Sequence, residues 1–333
     1  MRRELILIFN GELFRQGNSL SFETSRGRKI FPIKEIESIY CFGQITFTSR
    51  VFDFLGFEQV PVYFFSYHGT LSGVYTPIHL ETSSNPTCFK IIQVEAYLDN
   101  KLKISIAKEF LYSGIDNIIF LLNRYNIGSQ NISKIKEYKE FISDCKDIQT
   151  IMLREGQMRH MYYSLFNEIL KNKDFEFISR SYRPPRDPLN ALISFGNSML
   201  YSFILSEIFK TDADAKIGFL HVPQDNRYSL VYDISEIFKP LVVDKFIFDI
   251  INIKMIRVDE HFEFSPQNGC YLNNEGKKVF LKYFLDFLEQ TSMHKLLHRK
   301  VSYKYLIRLE VYKLIRSLKE KTQYSGYRTE RGF

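Results

Sequence analysis

Four polar side chains in this 333-residue sequence, Glu155, His221, Asp233 and Glu236, sit on otherwise apolar stretches or at spacings that suit metal chemistry. Glu155 falls in Leu153-Arg154-Glu155-Gly156-Gln157-Met158-Arg159, on the stripe Ile148, Ile151, Met158, Tyr162, Leu165 and Ile169 of a predicted helix. An inward carboxylate is costly unless it is paired or bound to metal, so an ion pair with Arg159 and metal ligation compete for it. His221 closes the short apolar run Ile217-Gly218-Phe219-Leu220 before Val222-Pro223, where a hydrogen-bonded core imidazole and a ligand look alike. Asp233 and Glu236, at i and i+3, share one helix face and read equally as a carboxylate pair or as an N-cap with its capping-box partner. Together they offer hard oxygen ligands and one imidazole, a set that suits Mg²⁺ or Mn²⁺, with the imidazole favouring Mn²⁺; zinc fits less well without cysteine. Such an ion polarises a phosphoryl oxygen and stabilises charge on the attacking and leaving oxygens, which is what phosphodiester chemistry requires.

The elements that must position these groups divide at about residue 85. From Leu5 to about Tyr75 the chain runs in short apolar or alternating pieces broken by Asn10-Gly11, Gly17-Asn18 and Arg26-Gly27-Arg28, with Asn10-Gly11 a hairpin signal and one helix over Ser49 to Gly56. Thr82 to Thr87 reads as a linker. Beyond it the period becomes 3.6, predicting helices near 89–110, 112–126, 133–143, 147–171, 187–210, 233–254, 276–291 and 301–319. In Arg183-Pro184-Pro185-Arg186-Asp187-Pro188, Asp187 is an N-cap and Pro188 a first helical residue. That helix carries Asn190, Ser194, Asn197 and Tyr201, a polar stripe suited either to close helix packing or to positioning a phosphate. The expected fold is α+β multidomain: a small N-terminal β domain over 1–81, a linker over 82–88 and a larger, mainly α-helical catalytic domain over 89–333.

Composition sets the boundaries. Hydrophobic residues at 45% and charged residues at 25% are globular values, and no apolar run approaches the roughly 18 residues of a bilayer span, so no membrane association is expected. Cys41, Cys88, Cys145 and Cys270 match no zinc or redox spacing, and Met1-Arg2-Arg3-Glu4 leads into no signal-peptide core, so a cytoplasmic protein with reduced cysteines is expected. Residues 294–333 hold eleven Lys and Arg against three Glu, an excess larger than the net charge of +7. Ile307, Val311, Leu314 and Leu318 share one face of the last helix, with Arg308, Tyr312, Arg316 and Lys319 to the other side. That basic surface is either merely solvated or a polyanion contact, and Arg308 and Arg316 are candidates for positioning DNA.

The ordered blocks Leu153 to Gly156, Pro184 to Leu192, Gly218 to His221, and Asp233 to Glu236 leading to Pro240-Leu241-Val242-Val243-Asp244-Lys245 resemble the CRISPR-associated spacer-acquisition integrases. The resemblance spans most of the chain. It implies a homodimer that binds double-stranded and branched DNA and assembles with a smaller dimeric CRISPR-associated adaptation subunit. It further implies that Glu155, His221 and Glu236 hold the metal with Asp233 beside them, and that Asn190, Tyr201 and Lys245 line the site. Many relatives look to have Arg where Lys245 stands; Lys keeps the charge and loses the bidentate fork. The implied reaction is attack by a DNA 3′-hydroxyl on a phosphodiester at the end of a repeat, without a covalent enzyme intermediate. Water in place of the hydroxyl gives an endonuclease. Two other readings stand beside it: a stand-alone structure-specific nuclease, and a non-catalytic helical DNA-binding protein.

Overall fold

The computed structural model describes residues 2–78, 86–181, 183–224, 227–265, 267, 269–294 and 297–329. The N-terminal half is built from β1 (Arg3–Leu7), β2 (Gly11–Gln16), β3 (Ser19–Thr24), β4 (Gly27–Pro32), β5 (Ile36–Cys41), β6 (Ile45–Phe47), α1 (Ser49–Glu58), β7 (Val62–Phe65) and β8 (Leu71–Tyr75). The strands form two sheets, ordered β1-β5-β7-β8 and β4-β3-β2-β6. Alternating apolar positions such as Leu5, Leu7, Leu13, Leu20 and Ile39 close with Val51, Phe54 and Leu55 of α1 into a core of their own. Asn10-Gly11 does not make the expected hairpin, because β1 pairs in parallel with β5 while β2 pairs with β3 in the other sheet. Asn10 Oδ1 instead accepts the Gln44 amide at 2.8 Å, and a Cβ on Gly11 would meet Glu23 O at 2.3 Å. Close approach, not a tight turn, demands that glycine.

The rest of the chain is mainly helical: α2 (Pro86–Leu98), α3 (Asn100–Arg124), α4 (Ser129–Ser143), α5 (Ile148–Ser164), α6 (Phe166–Ile169), α7 (Pro188–Ile208), α8 (Ser229–Phe238), a π-helical stretch over Lys239–Asp244, α9 (Lys245–Asn252), α10 (Val258–His261), α11 (Asn274–Leu288) and α12 (Tyr303–Glu320). Two antiparallel hairpins, β9 (Phe262–Ser265) with β10 (Gly269–Leu272) and β11 (Thr291–His294) with β12 (Arg299–Ser302), interrupt it, and helical periodicity gave no sign of them. The break expected near 111 falls at Asp99, whose carboxylate caps α3 by accepting from Lys101 and Leu102. Of the expected linker, 82–85 lie outside the described residues and 86–88 already belong to α2. Among the described residues α7 alone is long and apolar enough to cross a bilayer, but protein buries 83% of that apolar window. It is a core helix against which α8, α9, α12, β10 and the π-helical stretch pack.

The two halves share that core. Tyr40 stacks on Phe203 of α7 at 5.2 Å and Phe42 meets Phe195 at 5.8 Å. Charges reinforce the seam: Glu207, fully buried on α7, takes Lys210 at 2.7 Å and Arg308 at 2.5 Å, Lys210 also reaches Glu37, and Lys304 joins Glu4 and Glu37. Part of the C-terminal positive charge is therefore paired within the protein, while Arg299, Lys300, Arg316, Lys319 and Lys321 stay exposed. Lys313 pairs with Glu310, Lys319 with Asp212, and Arg328 with Glu109 and Asp116. Arg308 faces Glu207 rather than solvent, whereas Arg316 remains 77% exposed beside Glu320. A run of basic residues shows the charge but not the distant carboxylates that claim it. The segment after α12 packs inward too, with Tyr324 buried and the Thr329 amide donating to Asn117 Oδ1 at 2.8 Å.

Burial pushes the Glu37 carboxyl up, but Lys210 and Lys304 outweigh it and bring it down from 4.5 to about 2. A depressed folded-state value means stability that is present at neutral pH and lost as pH falls from about 4.5 toward about 2. Discounted for partial exposure, this amounts to about 2 kcal/mol. Glu37→Gln should lose about that much at neutral pH and show a correspondingly shallower loss in acid, read by urea unfolding at stepped pH.

Candidate active site

Helix periodicity places Glu155, Arg159 and Tyr162 of α5 on one face, at successive turns. That face meets α8, which carries Asp233 and Glu236, and the π-helical stretch, which carries Lys239 and Asp244. Arg159 is the hub: its Nε lies 3.1 Å from Glu155 Oε1 while a terminal nitrogen grips Glu236 Oε2. Lys239 Nζ takes the other Glu236 oxygen at 2.5 Å. Of the two alternatives for Glu155, the ion pair with Arg159 is present.

Burial raises the Glu155 carboxyl, and the Glu236 charge raises it further. Burial also opposes ionisation of Glu236, but the Arg159 and Lys239 charges override it and hold that group well below the usual carboxylate range. Asp244 completes an acidic interior; burial lifts it to about 6 despite Arg159, and Tyr162 Oη donates to its Oδ2 at 3.0 Å.

Asp233 serves neither as a helix cap nor as an open ligand. Lying within α8, its carboxylate accepts the amides of Phe219 at 2.5 Å, Leu220 at 3.1 Å and His221 at 2.8 Å, and meets His221 Nδ1 at 2.8 Å. Gly218 permits this approach, since a Cβ there would stand 2.8 Å from Asp233 Oδ2. The imidazole is fixed with Nδ1 on Asp233 and Nε2 pointing away, the arrangement that a metal-ligating histidine takes. No described residue hydrogen-bonds Nε2. Burial disfavours the imidazolium, but the Asp233 hydrogen bond and charge outweigh it, so the His221 pKa is raised. The Tyr232 ring stands 5.6 Å from His221 and 5.0 Å from Tyr201, and Lys239 Nζ lies 5.7 Å over Tyr201.

The donor set suits a hard divalent cation. The Glu236 charge acts on both Glu155 and His221, and an imidazole nitrogen is open. Among the described residues, however, no three His, Cys, Asp or Glu side chains stand as ready ligands. Arg159 and Lys239 occupy the Glu236 oxygens, so an ion held there would have to displace one or both of these cations.

Of the other candidates, Tyr201 joins the site. Asn190 does not: fully buried, it accepts from Arg180 and the Ser181 amide and donates to Ser179 O and Asp187, holding the loop before α7 in place. Lys245 lies beyond the π-helical stretch, 3.5 Å from Asp249 and 4.4 Å over the Phe287 ring, where burial lowers its pKa. Lys239, Asp244, Tyr162 and Tyr232 were not singled out in the sequence, although Lys239 stands at i+3 from Glu236 and Tyr162 at i+7 from Glu155.

Residues 5–286 match the family model described as CRISPR associated protein Cas1. The chain is 39% identical to the CRISPR-associated endonuclease Cas1 2 of Thermodesulfovibrio yellowstonii, covering 99% of each chain. It is 38% identical to the CRISPR-associated endonuclease Cas1 2 of Moorella thermoacetica, over 97% of this chain and 98% of that one. The structure of a CAS1 protein from Thermotoga maritima superposes with a TM-score of 0.86 at 31% identity, covering 98% of this chain and 100% of that one. A casposase bound to integration product shares the fold, with a TM-score of 0.85 at 22% identity over 98% of this chain and 93% of that one. By these matches, nearly end to end in sequence and fold, the chain belongs to the Cas1 family.

Proposed function

We propose that Glu155, Glu236 and His221 Nε2 form the centre at which this Cas1 endonuclease and integrase breaks and rejoins DNA, with Asp233 orienting the imidazole. The observation that supports the reading is the four-bond grip of Asp233 on the His221 loop, which leaves Nε2 without a hydrogen-bond partner among the described residues while the Glu236 charge acts on both His221 and Glu155. A bound Mg²⁺ or Mn²⁺ supplies Lewis-acid activation of the phosphodiester and charge stabilisation at the attacking and leaving oxygens. The protein's residues do the rest. The carboxylates and imidazole hold the centre, and buried Tyr162 and Asp244 keep the α5 face from sliding. Arg159 and Lys239, once released from Glu236, are placed to meet the phosphate charges of the strand. The Tyr201 and Tyr232 rings meet edge to face, with Tyr232 beside the imidazole. A DNA 3′-hydroxyl entering there gives strand joining and water gives cleavage, so both activities belong to one geometry. Asn190, Lys245, Arg308 and Arg316 make no hydrogen bond or ion pair with Glu155, His221, Asp233 or Glu236. The proposed assembly is a homodimer acting on double-stranded and branched DNA with a smaller dimeric subunit; of these features, association with a Cas2 subunit is the one favoured by the occurrence of a chain of this fold in a Cas6-RT-Cas1–Cas2 complex.

Glu155→Ala and His221→Ala should each lower Mn²⁺-dependent cleavage and joining by about a hundredfold or more, with melting temperature changed by only a few degrees. Unchanged turnover in either variant, or full activity in EDTA, would overturn the assignment. Arg159→Met leaves Glu236 buried with half its counter-charge, and should destabilise the metal-free protein by about 3–5 kcal/mol. Because the ion supplies the missing positive charge, Mn²⁺ should raise the melting temperature of this variant more than that of the wild type. Equal increments would show that Arg159 and the metal do not share a site.

A further inference from the structure

Past α12 the chain runs from Thr322 to Thr329 without helix or strand, beyond the stretch 5–286 that matches the family model. It is nonetheless tied down at successive residues. Thr322 N donates to Ser317 O at 2.9 Å, buried Tyr324 donates its hydroxyl to Glu310, Ser325 O accepts Lys313 at 2.9 Å, and Gly326 N donates to Glu109 Oε1 at 2.9 Å. Arg328 adds ion pairs with Glu109 at 2.6 Å and Asp116 at 2.8 Å. We propose that this strap, acting through Asn117 of α3, is a positioning element for the reaction, because it fixes where Glu236 and Lys239 stand at the end of α8. The proposal rests on the assignment of Glu236 given above.

The end of α8 needs such a support. Pro240 has no backbone N–H to offer Glu236 O four residues back, and a proline ring crowds that carbonyl, so the α-helical ladder is interrupted there. The chain widens instead into the π-helical stretch over Lys239–Asp244. Glu236 and Lys239 therefore stand astride a break, where regular helix geometry no longer sets their relative direction. Helix α3 closes on that break. A Cβ on Gly114 would stand 2.6 Å from Glu236 O, and Asn117 Nδ2 donates to Ile237 O at 2.9 Å.

Asn117 is fully buried, and the strap supplies its other bonds. Nδ2 donates also to Tyr327 O at 3.1 Å, and Oδ1 accepts the Thr329 amide at 2.8 Å. Facing two carbonyls and one N–H, the side-chain amide can be seated in only one way. Without the strap it would keep Ile237 O alone of these three partners and could turn away from it. The strap also touches α8 directly. The Tyr327 ring lies parallel to that of Phe238, with planes 8° apart and centroids 6.0 Å apart, and a Cβ on Gly326 would stand 3.3 Å from Ile237 Cδ1 and 2.3 Å from Ser113 Oγ. Ile237 and Phe238 are the two residues between Glu236 and Lys239, so the grip falls between a carboxylate of the proposed centre and the lysine paired with it.

The test uses the full chain and reads melting temperature against Mn²⁺ concentration without DNA, strand joining against Mn²⁺, and DNA affinity by anisotropy in EDTA. Asn117→Ala and Tyr327→Ala should each raise the half-saturating Mn²⁺ concentration about tenfold in both the thermal and the joining assay, with DNA affinity unchanged. Tyr327→Phe keeps the ring and should behave as wild type. Glu109→Ala should shift the Mn²⁺ midpoint in the same direction, although the Glu109 partners Ser113, Gly326 and Arg328 all lie outside α8. Should Asn117→Ala not fold, Tyr327→Ala and Glu109→Ala, both at partly exposed positions, carry the answer. A lower melting temperature with the Mn²⁺ midpoint unmoved would show a strap that only stabilises the fold, and would overturn the proposal. So would a shift in Asn117→Ala with none in Glu109→Ala, since Asn117 would then act without the strap. If Mn²⁺ left the melting temperature of the wild type unchanged, the assignment of Glu236 would fall instead.

Discussion

The centre of this protein depends on neutralising carboxylates that have been taken out of water. Glu155, Glu236 and Asp244 converge on the interface of α5 and α8, where an uncompensated charge would cost several kcal/mol. Arg159 pairs with two of them and Lys239 with one, while Asp244, hydrogen-bonded by Tyr162, is lifted toward neutrality. The site therefore resists collapse by holding its own cations. Under the proposed assignment, a divalent ion entering here would release two groups that bind phosphate well, so that ion and strand binding would draw on one set of charges.

Rigidity at the imidazole comes from a different device. Asp233 accepts three consecutive backbone amides together with Nδ1, so His221 cannot rotate without breaking a carboxylate cage inside α8. Gly218 makes the cage possible from the loop side, and Gly114, whose Cβ would stand 2.6 Å from Glu236 O, lets α3 close on α8 behind the carboxylate. Asn117 on α3 adds a bond from Nδ2 to Ile237 O at 2.9 Å and another to Tyr327 O at 3.1 Å, tying α8 to the C-terminal segment. The last described residues thus support the active-site helix from behind.

The N-terminal half contributes through the same core. Phe42 against Phe195 and Gly69 against the same ring anchor the β sheets on α7, while Glu207 gathers Lys210 and Arg308 at the seam. A buried carboxylate with two cations recurs here with no open imidazole beside it, which separates a structural ion cluster from a chemical one. Both clusters join local pairs, Glu155 with Arg159 and Glu207 with Lys210, to distant ones, Glu236 with Arg159 and Glu207 with Arg308.

What the chain's local order determined was considerable. Period 2 and then 3.6 separated the β half from the helical half, Asp187-Pro188 marked the start of α7, and Glu155, His221, Asp233 and Glu236 stood out because polar groups interrupted apolar patterns. These are properties of neighbours within a few residues, where backbone geometry is the same in any fold. Tertiary structure alone decided which oxygen each cation takes: Arg159 finds Glu236 across 77 residues and Arg308 finds Glu207 across 101. It also turned Asp233 from a suspected cap into the holder of His221, and Asn190 into a loop anchor. Charge pairing depends on separation in space and on the water excluded between the partners, and neither quantity exists until the helices have packed.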